Sequence, residues 1–203
     1  YLELIFKQYD IPVFMDQKQK TLYHPFVEFI RAALETTVHG WQYDAVFRLV
    51  KTELLFPCDG SMPREWFDLL ENYVLASGIN GWKWKDDRQW RPLATVSLDE
   101  EEDTAYYISD AAKEQLAIAL AARGVIVPPI SRFEEKLNKA RNIKMMCIAL
   151  YELLEETGAA FRLEQWSIRE QERGNLLMAR THRQLWSNVM KLLDELVELA
   201  GEE

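Results

Sequence analysis

Residues 8–55 constrain this chain more than any other stretch: a short apolar run, a polar turn and two amphipathic helices follow one another without a break. Pro12, just ahead of residues 13–15, suits the first position of a short strand, where a missing amide donor does little harm. Residues 16–20 are too polar to be buried. His24–Pro25 predicts a helix start, because proline is tolerated at the first helical position, whose amide has no intrahelical acceptor. Phe26, Phe29, Ile30, Ala33 and Leu34 then recur at helical spacing, with Glu28, Arg31 and Glu35 on other faces. After Gly40, the residues Trp41, Ala45, Val46, Leu49 and Val50 repeat the pattern. The unit is built for packing, and nothing in it is a reaction centre.

A chain of 203 residues with 48% hydrophobic content can bury a sizeable core. No segment reads as long enough to span a bilayer, so no membrane partner is expected. The opening YLELIFKQYD has helical periodicity through Leu2, Ile5 and Phe6 and no signal-peptide grammar, so the chain reads as an internal stretch of a longer polypeptide. The net charge of −9 argues against tight DNA binding by this stretch alone, since phosphate-binding surfaces carry the opposite sign. Cys58 and Cys147 are far apart, and the default is two reduced thiols in a cytoplasmic protein.

Further along, Ser61–Met62–Pro63 reads as a helix start with serine as cap. Trp66, Leu69, Leu70, Tyr73 and Val74 form its stripe, which ends near Gly78. Residues 78–92, GINGWKWKDDRQWRP, have no helical period and predict a long structured loop. Residues 98–103 are a solvated acidic run, and 110–123 are Ala-rich and helical. Pro128 and Pro129 predict a helix break. Ser131, with Glu134 three residues on, then predicts a capping box and a new helix. Phe133, Leu137, Ala140, Met145, Ile148, Ala149, Leu153 and Leu154 would be its buried side, up to Gly158. Residues 163–199 end in a helix marked by Leu185, Trp186, Val189, Leu192, Leu193, Leu196 and Leu199. The fold class is mainly α: a multi-helix, bundle-like lobe with at most one or two short strands.

Motifs for chemistry are missing from the sequence. No glycine stands in a phosphate-cradling GxxxxGK[ST] arrangement, so motor chemistry cannot reside here. The acidic run at 99–103 lacks the glycine turn of an organised calcium loop. His24, His39 and His182 are too dispersed for a recognisable metal site; His24 reads as a capping or packing residue and His182 as solvent-facing. Met145, Met146 and Cys147 fall at helical spacing with leucines and read as core rather than as an adaptable groove. One segment has plausible nucleic-acid chemistry. Lys83, Lys85, Arg88 and Arg91 alternate with Trp82, Trp84 and Trp90, and cations with indoles can grip a single strand without reading sequence. Its bland counterpart is a loop pinned by its tryptophans, with Asp86 and Asp87 offsetting half the charge. No catalytic, cofactor-binding or metal-binding residue is nominated.

Several blocks carry a family resemblance. "YDIPVFMDQKQ", "HPFVEFIRAAL" and "WQYDAVFRLVKTELLF" resemble the start of the second RecA-like domain of superfamily-one DNA helicases. The wording is most similar to the AddB-type subunit of bacterial AddAB ATP-dependent helicase–nucleases, with further matches at "LENYVLASGINGWKW", "FEEKLNKARNIKMMCIALYELLEE" and the C-terminal helix. The resemblance implies that residues 1–58 begin that domain and 59–203 form its helical insertion. It also implies a parent that partners an AddA-type motor–nuclease as a heterodimer and processes double-stranded DNA ends for recombinational repair. ATP, Mg and a 4Fe–4S cluster would be bound elsewhere in that parent, and none within this stretch. Two other readings compete. The chain can be a free-standing acidic helical interaction module, and a small-molecule enzyme has no motif behind it.

Overall fold

The computed structural model describes residues 23–96 and 106–200, and among them seven α-helices dominate. They are α1 (Pro25–Val38), α2 (Tyr43–Lys51), α3 (Glu65–Ser77), α4 (Asp110–Lys139), α5 (Ile143–Glu156), α6 (Ala159–Glu172) and α7 (Leu176–Ala200). Two 3-10 turns, Gly81–Trp84 and Asp87–Gln89, sit between α3 and α4. A two-residue antiparallel ladder pairs β1 (Thr95–Val96) with β2 (Tyr106–Tyr107). The mainly α expectation is met. The strand expected at 13–15, the helix-like start at 1–9 and the acidic run at 98–103 lie outside the described residues.

The α1–α2 unit forms as its sequence predicts. His24 caps α1, its Nδ1 accepting the Phe26 N–H at 3.1 Å, and Pro25 takes the first turn. Phe26, Phe29, Ala32, Ala33 and Thr36 are buried on one face. The helix closes when the Trp41 N–H reaches back to the Thr36 carbonyl at 2.8 Å. That closure holds Trp41 in a left-handed conformation (φ 62°), unusual for a residue with a bulky side chain. Burial of its indole, and the Gly81 N–H bonded to its carbonyl at 3.0 Å, fix it there. Arg48 of α2 ion-pairs with Glu28 at 3.3 Å and also with Glu35, tying the two helices together.

Three expectations need correction. The helix after residue 61 starts at Glu65, with Arg64 at the cap position and no side-chain cap bond; the Ser61 N–H instead binds Asp59. The proline pair does not break its helix. α4 runs 30 residues through Pro128 and Pro129. An interior proline removes one hydrogen bond and costs about 3 kcal/mol or more. Two prolines cost about twice that. Here Ile126, Ile130 and Phe133 are buried along the helix with Ala119 and Ala122, and each large side chain contributes roughly 1.5–3 kcal/mol, a sum of the same size that offsets the backbone loss. The prolines also line an open cleft with Gly124 and Val125, the residues four back, whose carbonyls lose their amide donors. Ser131 is therefore mid-helix, its hydroxyl buried without a partner, and makes no capping box. The real break comes at Ala140, and Asn142 caps α5 by accepting the Met145 N–H at 3.0 Å.

The long C-terminal stretch likewise divides at Arg173–Asn175 into α6 and α7, with Gly174 at φ 79°. Because α4 is continuous, it is long and apolar enough to cross a membrane by length and composition, contrary to the sequence expectation. Core helices pass the same test, and α4 packs against α1, α3 and α5. α6 packs along α7, and α5 bridges to both. One buried cluster runs from Phe26 to Leu185 through all seven helices.

Two further expectations fail at the surface. Met145, Met146 and Ile148 are each more than 40% exposed, so this cluster is not core, although Cys147 beside it is buried. On α7 the apolar stripe continues past the covered part: Leu192, Leu196 and Leu199 are exposed, Leu199 at 85%. Replacing Ile126, two residues ahead of the proline pair, with alanine is expected to destabilise the chain by about 2–5 kcal/mol. A lower urea midpoint at unchanged slope is the expected reading; an unchanged midpoint would mean α4 is not seated in the core there.

Candidate functional site

The tryptophan loop is wired to α4 through Arg123 and Glu134. Trp84 is 0% exposed and Trp90 is buried beside it, their rings 5.6 Å apart. Tyr73 of α3 stacks on Trp90 at 5.5 Å, donates its hydroxyl to the Arg91 carbonyl at 2.6 Å and accepts the Arg91 N–H at 2.9 Å. Trp90 Nε1 donates to the Lys83 carbonyl at 3.1 Å. Arg123 of α4 reaches across, with Nε donating to the Trp84 carbonyl at 2.8 Å and its guanidinium 5.0 Å from the Trp90 ring centre. It also pairs with Asp87 at 2.7 Å. Further along α4, the Glu134 carboxylate accepts Trp41 Nε1 at 3.1 Å and pairs with Lys85, whose ammonium lies 5.0 Å over the Trp41 ring.

This wiring sorts the nominated residues. Trp84 and Trp90 are core, and no base can stack on either indole while the loop stays folded. Lys85 is committed to Glu134. Lys83, half-buried, caps the end of α3 by donating to the Gly78 carbonyl at 3.0 Å. Arg88 and Arg91 are exposed, Arg91 Nε bonding only the Arg88 carbonyl at 2.8 Å. Trp82 is 64% exposed beside them. Of the nominated residues, Trp82, Arg88 and Arg91 remain as an exposed set, and Lys83 is half-buried.

A second grouping escaped the sequence because its members are 158 positions apart. His24 Nε2 and His182 Nδ1 lie 2.8 Å apart in a buried contact. His182 is 7% exposed, so the expectation that it faces solvent is wrong. The α6–α7 packing turns it inward, and Trp166 completes a ring trio at 6.2 Å from His24 and 5.7 Å from His182. Burial pushes the His24 pKa down to about 4, and His182 pushes the same way. Burial lowers His182 too, against an opposing pull from the Glu170 carboxylate. Both rings are neutral at pH 7. Among the described residues no group of three or more His, Cys, Asp or Glu side chains is placed to hold a metal ion.

Comparison with known proteins agrees with the sequence resemblance. No family model matches the chain. Over its whole length it is 42% identical to a protein of Geobacillus thermodenitrificans (strain NG80-2) named as a subunit of an ATP-dependent helicase/deoxyribonuclease. It is 42% identical to the protein of the same name in Bacillus cereus (strain AH187) and 41% to that in Desulforamulus reducens. In each case the match covers 17% of the relative's length. The chain is thus related, end to end, to one segment of an ATP-dependent helicase–nuclease subunit. That subunit is of the AddB type, as the sequence blocks indicated.

Two outcomes check this geometry. Trp84→Ala should lose about 3–5 kcal/mol. Trp84→Phe should lose far less, because it also removes an indole N–H that is buried without a partner. Equal losses in calorimetry would contradict the pinned-loop description. For His24, the unfolded chain binds more protons than the folded one between pH 6.5 and about 4, and the lowered His182 acts in the same sense. Their contribution is therefore complete above pH 6.5 and is lost as pH falls. The melting temperature should drop from pH 7 to pH 5, and His182→Gln should flatten that drop; an unchanged slope would exclude the pair as its cause.

Proposed function

We propose that this chain is a structural segment, bordering the DNA path, of a helicase–nuclease subunit that processes double-stranded DNA ends for recombinational repair. The observation that carries the reading is the match over the whole chain, at about 42% identity, to proteins named for helicase and deoxyribonuclease activity. In this reading residues 1–58 open the second RecA-like domain and 59–203 are its helical insertion. The subunit works in the cytoplasm as a heterodimer with an AddA-type motor–nuclease. ATP, Mg and the 4Fe–4S cluster belong to regions outside this segment, which has no catalytic centre of its own. Its part is to hold shape, to offer a partner surface and to touch DNA through the exposed edge of the tryptophan loop.

The chemistry of that edge supports a single-strand contact: one exposed indole for stacking and two exposed arginines for phosphates. A net charge of −9 makes the contact local rather than a property of the whole surface. The test belongs in the full heterodimer. Trp82→Ala combined with Arg88→Ala should weaken binding to a DNA end with a single-stranded tail by about three- to tenfold and reduce the salt slope by roughly one. Melting of the chain should be unaffected, since both side chains are exposed. Unchanged DNA affinity would remove the loop from the DNA path.

One observation favours the second reading, a free-standing interaction module: the apolar stripe on α7 is uncovered at Leu192, Leu196 and Leu199. Chromatography of the isolated chain separates the two. A monomer, which Leu196→Asp leaves unchanged, is expected for the scaffold segment; a dimer abolished by that substitution would favour the module.

A further inference from the structure

The polarity of the His24–His182 contact is set from one end. The Phe26 N–H donates to His24 Nδ1, so a neutral His24 carries its proton on Nε2. That Nε2–H donates across 2.8 Å to His182 Nδ1, which places the proton of His182 on its own Nε2. This last N–H meets no acceptor among the described residues and is open to solvent at its edge, although the ring as a whole is only 7% exposed. The same ring lines a cleft with Pro25, Trp166, Arg169, Glu170 and Arg173.

Two further donors of that cleft are cationic. Trp166, Arg169 and Arg173 stand at i, i+3 and i+7 along α6 and its C-terminal cap and share one stripe. Arg169 is exposed and has no ion pair among the described residues. Arg173 gives one nitrogen to Glu170 at 3.0 Å, and Asn175 Nδ2 donates to the same carboxylate at 2.9 Å, so Glu170 is already held. Residues 159–183 contain five arginines against three glutamates, a basic island in a chain of net charge −9.

We propose that this cleft binds a phosphate group, held by the His182 Nε2–H, the Arg169 guanidinium and the free side of Arg173, with the Trp166 ring as its wall. Three separate donor groups suit a tetrahedral anion with three available oxygens better than a two-oxygen carboxylate. His182 serves as a neutral donor, because a proton on Nδ1 would face the N–H of His24. The site therefore works at neutral pH and needs no acid. It lies on α6 and α7, apart from the tryptophan loop, and does not rest on the contact proposed there.

The experiment is imidazole nitrogen NMR on the 203-residue chain, titrated at constant ionic strength with inorganic phosphate, then a short single-stranded oligonucleotide, then acetate. The His182 Nε2–H resonance should move saturably with phosphate, equally at pH 7 and 8, while the tautomers of both rings stay fixed. Arg169→Gln, an exposed change that leaves the fold intact, should weaken the effect about tenfold. Lys191→Gln, at an exposed residue of α7 that pairs with Glu195, should leave it alone. A matching shift with the oligonucleotide would identify a nucleic-acid backbone as the phosphate source; a shift with inorganic phosphate alone would identify a small phosphorylated ligand. Both outcomes support the site. It is overturned if no titrant moves the His182 resonance saturably, if acetate binds as tightly as phosphate, or if Arg169→Gln binds like the parent. Substitutions at Trp82 and Arg88 should not alter the shift, so failure here is separable from failure of the loop contact.

Discussion

The continuity of α4 through two prolines organises the rest of this molecule. A break at Pro128 would have separated Arg123 from Glu134, and the two would have no common frame. As one helix, α4 sets Arg123 against Trp84, Trp90 and Asp87 at one point and Glu134 against Trp41 and Lys85 about three turns on. The tryptophan loop is thus clamped to two points along a single rod. The same rod carries Ile126, Ile130 and Phe133 into the core shared with α1 and α3. The helix persists because tertiary burial offsets a local penalty of about 6 kcal/mol or more, and the residues whose carbonyls the prolines orphan line an open cleft.

That balance explains which parts of the fold were legible in the sequence. In α1 and α2 local signals agree with packing: His24 and Pro25 at the cap, phenylalanines at helical spacing, Gly40 at the exit. Such consistency can be read from sequence alone. Around Pro128 the local signal and the tertiary demand conflict, and a reading of the sequence follows the local one. Ser131 and Glu134 have capping-box spacing, but Glu134 serves a tryptophan 93 positions earlier. The exposure of Met145, Ile148 and Leu199 was hidden for a related reason. Periodicity shows that a helix has an apolar face, not that anything in this chain covers it.

The candidate sites divide in the same way. The tryptophan loop was visible as a composition, cations alternating with indoles, yet composition could not say which indole turns outward. Only Trp82 does, while Trp84 and Trp90 fasten the loop. The histidine pair and its cleft had no sequence signal, since His24 and His182 meet only when α7 folds back over the start of α1. One trace was there to find: Trp166, Arg169 and Arg173 repeat on one stripe of α6, inside a basic stretch of an acidic chain.

Hydrogen exchange of the backbone amides around the proline pair tests the continuity of α4 most directly. If α4 is a single core helix, the amides of Ile130, Arg132 and Phe133 exchange only with global unfolding, as slowly as those of Phe29 and Ala33 in α1. Rapid exchange at 130–133 with slow exchange on both sides would show two helices joined by a hinge, and the clamped-loop description would fall with the rod that supports it.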